Sequence, residues 1–279
     1  MNDTTRTKRQ GAVKQITSHS NPIVKEIKAL VSQRKYRTQS GLFVAEGLKL
    51  ATDALDAGWE VRYLVLGPDA RDHPVAQKAA ATAKARGALI LEVNTAVLAA
   101  MTRKDNPQMV VGVYEQKLMP IDSIRPQDST VWVALDRVRD PGNLGTIIRT
   151  VDAVGASGII LVGDCTDPFA VETVRATMGS LFHVPIVKTG KDRFKSLATA
   201  WPGTVAATHL KGSVDYRQPD YSEPVLLVMG NEQQGLEDDM AEVCKTLIRI
   251  PQVGEADSLN LAVATGISLY EIRRKHLAL

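Results

Sequence analysis

The stretch LDRVRDPGNLGTIIRTVDAVGASGIILVG, residues 135–163, indicates the fold class of the chain. It contains the end of an apolar strand, a glycine turn, an amphipathic helix predicted over 143–154 and a second apolar strand over 158–162. Strands and helices continue to alternate after it. This alternation predicts an α/β fold with a mostly parallel sheet, in which ligands collect at the carboxyl ends of the strands.

The turn before this helix matches a dinucleotide-binding loop only in part. A G-x-G-x-x-G fingerprint needs a middle glycine that lets a pyrophosphate approach the backbone, and Gly142-Asn143-Leu144-Gly145 lacks it. Asp164, 22 positions after Gly142, does have the place of a ribose-binding acid. A dinucleotide-dependent enzyme therefore stays an alternative, whereas the sequence has no P-loop motif.

Composition and length predict a globular cytoplasmic protein without a metal. The chain has 279 residues, 44% of them hydrophobic, which is enough for two domains with sizeable cores. No apolar run approaches the roughly 20 residues of a membrane span, and the polar, basic start is unlike a secretory signal. The two cysteines, Cys165 and Cys244, and the five scattered histidines lack the spacing of a zinc site or a disulfide framework.

Breaks in the pattern divide the chain into four segments. Residues 1–16 form a basic lead that is expected to lack structure, and 17–115 alternate as a small α/β domain. Residues 116–130 are rich in proline, serine and charge without a periodic apolar face, which predicts a linker. The second α/β domain is predicted over 131–279.

Positive charge is concentrated at the amino-terminal end. Residues 1–40 carry nine lysine and arginine side chains against two acidic ones, although the whole chain has a net charge of only +3. This asymmetry suggests a polyanionic partner, and a solvated basic tail is the alternative. The candidate contacts are Arg34, Lys35 and Arg37, which precede the first predicted strand of the small domain.

The helix of the opening stretch carries an arginine on its outer side. Its core-facing stripe consists of Leu144, Ile147, Ile148, Val151 and Val154. Arg149 lies roughly 140° from Leu144, at about 100° per residue, and so points away from that core. An exposed arginine is most often only solvated, and Asn143 has a structural interpretation as the N-cap of the same helix.

Further candidate site residues follow two later strands. They are Gly230, Glu232, Ile250, Pro251, Ser258, Leu259 and Asn260. Glu232 also suits a helix N-terminus and Ser258 suits an N-cap, so each has a structural interpretation beside a functional one. Because parallel strands end at one edge of their sheet, we expect these residues to converge with those of the opening stretch.

Together these segments resemble the SpoU or TrmH-type branch of the SPOUT RNA 2'-O-ribose methyltransferases. A first family motif, N-x-G-x-x-x-R with a later glycine, matches Asn143, Gly145, Arg149 and Gly155. A second, G-x-E-x-x-G-[LI], matches Gly230, Glu232, Gly235 and Leu236. A third, I-P followed by S-L-N and a helix, matches Ile250, Pro251, Ser258, Leu259 and Asn260. The segment GLFVAEGLKLATDAL also resembles the small α/β substrate-binding domain that often precedes this fold, so the resemblance covers nearly the whole chain.

The resemblance implies an α/β knot, in which the carboxyl-terminal segment threads a loop as a trefoil, preceded by the small substrate-binding domain. It also implies S-adenosylmethionine as cofactor and a homodimer with the site near its interface. Gly230, Ile250 and Leu259 are the implied cofactor-binding residues, and Thr208 joins them on a looser pattern.

The resemblance makes Arg149, Asn143, Glu232, Ser258 and Asn260 the candidate catalytic residues. An outward guanidinium can hold an RNA phosphate through two hydrogen bonds and so position the adjacent ribose. The family also suggests that Arg149 activates the 2'-hydroxyl. Because a guanidinium has a pKa above about 12, we favour the phosphate clamp over a base. The other four residues would orient the arginine and the ribose.

Three functions are compatible with these patterns. The favoured one is 2'-O-methylation of structured RNA, with ribosomal RNA preferred because the two-domain form resembles rRNA-modifying members, and with tRNA left open. The second is a catalytically silent RNA-binding or ribosome-assembly protein of the same fold. The third is the dinucleotide-dependent enzyme, which the missing glycine disfavours.

Overall fold

Short apolar strands and helices alternate through the computed structural model, which describes residues 10–209, 212 and 214–277. The described chain divides into two units. One contains the residues up to Gln116 together with Phe169–Arg175, and the other contains Lys117–Pro168 and the residues from Ala176 onward.

A five-stranded mixed sheet forms the centre of the first unit. Its elements are β1 (Ala12–Ile16), α1 (Pro22–Ser32), α2 (Arg34–Ser40), β2 (Leu42–Glu46), α3 (Leu48–Asp56), β3 (Val61–Leu66), α4 (Pro74–Ala85), β4 (Leu89–Val93), α5 (Thr95–Thr102) and β5 (Val110–Glu115). The strand order is β1-β4-β3-β5-β2, and β5 runs antiparallel to both of its neighbours. Helices and β-strands bury a shared apolar core that includes Val24, Ile27, Val44 and Val65.

Strand β1 lies within the segment expected to lack structure. Its five residues pair in parallel with β4, from Ala12 opposite Leu89 to Ile16 opposite Val93. The prediction for residues 12–16 was wrong because only Ile16 of β1 is buried, so the strand has almost no apolar pattern of its own and is held by backbone pairing at a sheet edge. Residues 1–9 of the predicted lead lie outside the described residues.

Seven parallel strands form the sheet of the second unit. Its elements are β6 (Val131–Asp136), α6 (Pro141–Ala153), β7 (Gly158–Val162), α7 (Val171–Ala176, which begins in the first unit), β8 (Ile186–Thr189), α8 (Lys191–Thr199), β9 (Thr204–Thr208), β10 (Val214–Asp215), β11 (Val225–Met229), α9 (Asp238–Ala241), β12 (Thr246–Arg249) and α10 (Leu261–Arg273). The strand order is β10-β12-β9-β11-β6-β7-β8. Every pair in this sheet is parallel, as the alternation predicted.

Parallel pairing brings four chain segments to one edge of this sheet. Strands β6, β7 and β11 are buried along their whole length, which explains why they are continuous apolar runs. The carboxyl ends of β6, β11, β9 and β12 are neighbours in the sheet, so the loops that follow them start side by side. The predicted α/β architecture is therefore confirmed, and the trefoil knot stays a prediction of the family resemblance.

The segment predicted as a linker packs into the second unit. Met119 N donates to Ile186 O at 2.8 Å, and both Ile121 and Ile124 are buried in the core cluster of this unit. The short 3₁₀ turn Ile121–Ser123 begins at Ile121 and is capped by Ile124, and a second turn, Pro126–Asp128, follows it. The prediction failed because a 3₁₀ turn needs no helical apolar periodicity.

Candidate active site

An aspartate begins helix α6 and so sets the orientation of Asn143. Asp140 is the N-cap residue, its Oδ1 accepts from Asn143 N at 2.6 Å, and Pro141 follows in the first turn. The interpretation of Asn143 as the N-cap was therefore wrong by three positions. Because Asp140 caps the helix, the Asn143 side chain is available for contacts outside it.

Glu232 links the loop after β11 to the start of α6. Its carboxylate accepts from Arg139 N at 3.1 and 3.3 Å, from Asp140 N at 3.2 Å and from Asn143 Nδ2 at 3.2 Å. A negative charge is favoured there because the amino end of a helix carries a partial positive charge and unpaired N–H groups. The carboxylate is thus held against the β6–α6 loop at several points.

Asn260 extends this arrangement to the carboxyl-terminal helix. Its Nδ2 donates to Asn143 Oδ1 at 2.9 Å, and its Oδ1 accepts from Ala262 N at 2.9 Å and Val263 N at 3.3 Å. Asn260 is therefore the N-cap of α10, and the alternative that Ser258 caps this helix was wrong. Glu232, Asn143 and Asn260 form a continuous hydrogen-bonded chain, which we call the bonded cluster.

Arg149 lies outside the bonded cluster. It is six residues beyond Asn143 on α6, which places it roughly 9 Å further along the helix axis. Its side chain is exposed and has no hydrogen bond or ion pair with any residue that the structure describes. Ser258 is also exposed, and within the described chain it makes no hydrogen bond. The structure thus brings together three of the five predicted catalytic residues.

Gly230 permits a tight return of the loop after β11. A Cβ atom at Gly230 would lie 2.3 Å from both the carbonyl carbon of Gly235 and the amide nitrogen of Leu236, so no larger residue fits. Inside the loop, Asn231 Oδ1 accepts from the amides of Gln233 and Gln234. The loop is therefore ordered by its own side chains as well as by Glu232.

The remaining predicted cofactor-binding residues follow adjacent strands. Thr208 ends β9, and its Oγ1 lies 3.4 Å from Met229 Sδ at the end of β11. Ile250 follows β12 and is half-buried, as is Leu259, which directly precedes the cap of α10. Strand order places Thr208, Gly230 and Ile250 at the same sheet edge.

Residues 251–259, between β12 and α10, are exposed apart from the half-buried Leu259. Among the described residues, none of the N–H or C=O groups of this segment takes part in a backbone hydrogen bond. Exposed, unpaired donors and acceptors can bind a polar ligand without first breaking internal hydrogen bonds. The segment therefore fits S-adenosylmethionine as a cofactor held mainly by backbone.

The three basic residues predicted to bind RNA differ in exposure. Arg34 and Lys35 are exposed on α2, whereas Arg37 is 5% exposed and its Nη1 donates to Leu30 O at 2.8 Å. A buried guanidinium must satisfy its N–H groups internally, and here it joins α2 to the end of α1. We therefore withdraw Arg37 from the predicted RNA-binding set.

The described residues contain neither a metal-binding cluster nor a membrane-spanning helix. No group of three or more histidine, cysteine, aspartate or glutamate side chains in the described chain could hold a metal ion. Both cysteines are buried, which raises the pKa of Cys165 to about 11 and that of Cys244 to about 12. Within residues 10–209, 212 and 214–277, every helix is too short or too polar to cross a bilayer.

Sequence reasoning missed three residues that shape this site: Arg137, Asp140 and Asn231. Asp140 could have been found, because an aspartate directly before Pro141 is a standard helix-start signal. Asn231 Nδ2 donates to Arg137 O at 2.8 Å, a contact between residues 94 positions apart. No local pattern identifies such a pair, because its formation depends on the pairing of β6 with β11.

Comparison with known proteins agrees with this geometry. The model of the SpoU rRNA Methylase family matches residues 130–270, and that of the MRM3-like substrate binding domain matches residues 21–112. An AdoMet-bound rRNA methyltransferase from Sinorhizobium meliloti is 57% identical, with a TM-score of 0.89 over 95% of this chain and 99% of that chain.

Two curated relatives extend over nearly the whole sequence. A 23S rRNA (uridine(2479)-2'-O)-methyltransferase from Streptomyces viridochromogenes is 31% identical over 98% of this chain and 96% of its own. A 23S rRNA (guanosine(2553)-2'-O)-methyltransferase from Bacillus subtilis is 30% identical over 94% of this chain and 100% of its own. The predicted family is confirmed, and the dinucleotide alternative is set aside: the chain belongs to the SpoU rRNA methylase family.

Proposed function

We propose that this protein transfers a methyl group from S-adenosylmethionine to a ribose 2'-hydroxyl of ribosomal RNA. The observation that carries the proposal is the bonded cluster, in which Asn143, Glu232 and Asn260 from three distant segments meet at the carboxyl edge of a parallel sheet. Two relatives named as 23S rRNA 2'-O-methyltransferases support the substrate class, and they favour rRNA over tRNA.

The cofactor would be held by Thr208, Gly230, Ile250 and Leu259, together with the unpaired backbone of residues 251–259. When bound, S-adenosylmethionine supplies an electrophilic methyl group. The sulfonium loses its positive charge during transfer, so a carboxylate beside it would stabilise the ground state more than the transition state. Glu232 already accepts hydrogen bonds from Arg139 N, Asp140 N and Asn143 Nδ2. These bonds are consistent with a role in positioning the loops and not in contacting the sulfonium.

Arg149 has the properties of an RNA phosphate ligand. Its guanidinium is exposed and makes no hydrogen bond or ion pair with any described residue, so its donors are available to two phosphate oxygens. Holding the phosphate next to the reactive ribose fixes the 2'-hydroxyl relative to the methyl donor. Asn143, Ser258 and Asn260 would complete the ribose environment through hydrogen bonds.

A homodimer is proposed from the outer face of α10. Val263 and Tyr270 are 50% and 53% exposed, and their spacing of seven residues places them on one face of the helix. Exposed apolar side chains on one helix face are typical of a contact surface. Since α10 packs against α6, this surface lies close to the helix that carries Arg149.

The first unit would capture the RNA. Arg34 and Lys35 are exposed cations on α2, and their attraction to phosphates is independent of sequence. This unit matches a substrate-binding domain, which agrees with such a role. Because ribosomal RNA is the proposed substrate, we place the enzyme in the cytoplasm.

Incubation with tritiated S-adenosylmethionine tests the proposal. The purified protein should label unmodified rRNA, and nuclease digestion should recover the label as a 2'-O-methylated nucleoside. Unmodified tRNA serves as the parallel substrate. Label confined to tRNA would overturn the rRNA assignment. Absence of label from both RNAs, with RNA binding retained, would favour the catalytically silent alternative.

A further inference from the structure

Arg137 adopts a backbone conformation that is rare for residues other than glycine. Its φ is +52°, in the left-handed region, directly after the last residue of β6. A residue with a Cβ atom is strained there, so such a conformation persists when surrounding contacts require it. The contacts of Arg137 are therefore informative about the loop that it begins.

One side of the Arg137 guanidinium holds a buried carboxylate. Nε and Nη2 donate to Asp136 Oδ2 at 3.0 and 2.9 Å, and Asp136 is only 2% exposed. The hydrogen bond with Asp136 raises the pKa of Arg137 above its ordinary value. Because a buried charge requires a partner, this pair fixes the guanidinium at the end of β6.

The other side of the guanidinium holds the loop that carries Glu232. Nη1 donates to Gln234 Oε1 at 2.8 Å and lies 2.7 Å from Glu237 Oε1. The Arg137 backbone carbonyl accepts from Asn231 Nδ2 at 2.8 Å. Arg137 is thus tied to residues on both sides of Glu232 in the sequence.

We infer that Arg137 is a positioning residue that sets the Glu232 loop against the β6–α6 loop, so that Glu232 meets Asn143. Within the described chain Arg137 makes no hydrogen bond or ion pair with either of these two side chains, and it acts on them through its contacts with the two loops that carry them. The effect on methyl transfer rests on the proposed function. The effect on loop order does not.

Two variants distinguish the contacts of Arg137 with the Glu232 loop from its pairing with the buried Asp136. Arg137→Lys retains the charge and the side-chain stem, but a single ammonium cannot span Asp136 and the Glu232 loop as the forked guanidinium does. The double variant Gln234→Ala/Glu237→Gln removes the Gln234 acceptor and the charge of Glu237, which also pairs with Lys191, and leaves the Arg137–Asp136 pair intact. The matched control is Gln233→Ala/Glu242→Gln, because Gln233 and Glu242 are exposed and their side chains make no hydrogen bond within the described chain.

Hydrogen exchange of the full-length protein is the first measurement. Peptides covering residues 230–237 should exchange about tenfold faster in both test variants, because the loss of one charge-assisted hydrogen bond produces a change of this size. In the control variant they should exchange at the wild-type rate. Steady-state kinetics is the second. In both test variants kcat should fall about 10- to 100-fold, while the KM for S-adenosylmethionine stays unchanged.

The outcomes distinguish this inference from the proposed function. Wild-type exchange in Arg137→Lys, or equal exchange in the test and control double variants, would overturn the positioning role. A rise in KM with unchanged kcat would also overturn it. If the wild-type protein transfers no methyl group, the proposed function fails, and the exchange measurement still decides the role of Arg137.

Discussion

Two parts of the active site differ in how their polar groups are satisfied. The side chains of the bonded cluster, Asn143, Glu232 and Asn260, form hydrogen bonds with other groups of the protein. Arg149 and the backbone of residues 251–259 make no such bonds within the described chain. The first part is fixed before any ligand arrives, whereas the second part has donors and acceptors available for ligands.

This difference indicates a division of roles. Exposed polar groups bonded to water incur no burial penalty, and a ligand replaces that water with its own hydrogen bonds. Groups that must hold a reacting atom in place work better when their own positions are already fixed. We therefore expect RNA and cofactor contacts in the unbonded part and orientation from the bonded cluster.

The largest effect is expected for Arg149→Ala. Removing the guanidinium removes the proposed phosphate ligand, so methyl transfer should fall about 10³-fold. The Kd for S-adenosylmethionine, measured by calorimetry, should stay at the wild-type value because Arg149 serves the RNA. Arg193→Ala, which changes an exposed arginine on α8, is the control and should retain full activity. Loss of cofactor binding in a folded Arg149→Ala protein would contradict this division of roles.

Cofactor addition should order the unbonded segment. The amides of residues 251–259 make no backbone hydrogen bond with any described residue, so their hydrogen exchange should be fast in the free protein. At a cofactor concentration 100 times the Kd, exchange of amides that the cofactor orders should slow by about 100-fold. Peptides from β6 serve as the internal reference, because this strand is buried and paired on both sides. Equal protection of both segments would indicate global stabilisation and not a local site.

Asn143→Asp tests the bonded cluster by changing its charge. The variant replaces the amide donor, now 3.2 Å from Glu232 Oε1, with a second carboxylate. Repulsion between two adjacent carboxylates raises the pKa for ionisation of the second one, and above that pKa, at pH 8, both are ionised and repel. We expect activity about 10- to 100-fold below wild type at pH 8. The deficit should shrink as pH falls towards 6, because protonation of the pair restores a donor.

Asn143→Ala provides the matched control for this pH dependence. It removes the same donor without adding charge, so its deficit relative to wild type should not vary with pH between 6 and 8. The thermal midpoint of Asn143→Asp should rise, relative to wild type, as pH falls through the raised pKa of the pair. Parallel pH profiles for the two variants would show that Asn143 does not face Glu232 in solution.

A smaller effect is expected at Asn260, where two roles can be separated. Asn260→Ala loses the cap of α10, which costs about 1 kcal/mol, and also the bond to Asn143. Asn260→Ser keeps a capping oxygen, but its shorter side chain cannot also reach Asn143. Urea unfolding should show near wild-type stability for the serine variant, while both variants lose about tenfold in kcat. Full activity of Asn260→Ser would leave Asn260 with a capping role only.

The sequence identified the parts of the site that follow from local pattern. Gly230, Glu232, Ile250 and Asn260 follow strands or start a helix, and parallel pairing alone predicts that such residues share a sheet edge. The core stripe of α6 was predictable from its periodicity, whereas the predicted glycine turn was wrong because Asp140 and Pro141 start the helix before Gly142.

Contacts between distant segments could not be predicted in this way. The burial of Arg37 depends on the packing of α2 against α1, and the pairing of β1 depends on the open edge of β4. Arg149 and Asn143 belong to one family motif, yet the helix separates them because six residues rise roughly 9 Å. A motif indicates which residues act in one reaction, and only the fold shows which of them touch.

The smallest effect is expected on the first unit, where Arg34 and Lys35 are exposed and Arg37 is buried. The double variant Arg34→Ala/Lys35→Ala removes two exposed cations. The slope of log K for RNA binding against the logarithm of the salt concentration should therefore become shallower by about 1.4 to 1.8, and thermal stability should not change. Lys78→Ala/Lys84→Ala removes two exposed lysines of α4 and is the matched control. Arg37→Ala should instead lower the free energy of unfolding by about 1–3 kcal/mol, because its partner carbonyls at the end of α1 lose their donor. Equal salt slopes for the two double variants would show that RNA does not contact these two side chains of α2. Wild-type stability of Arg37→Ala would show that its buried guanidinium does not stabilise the fold.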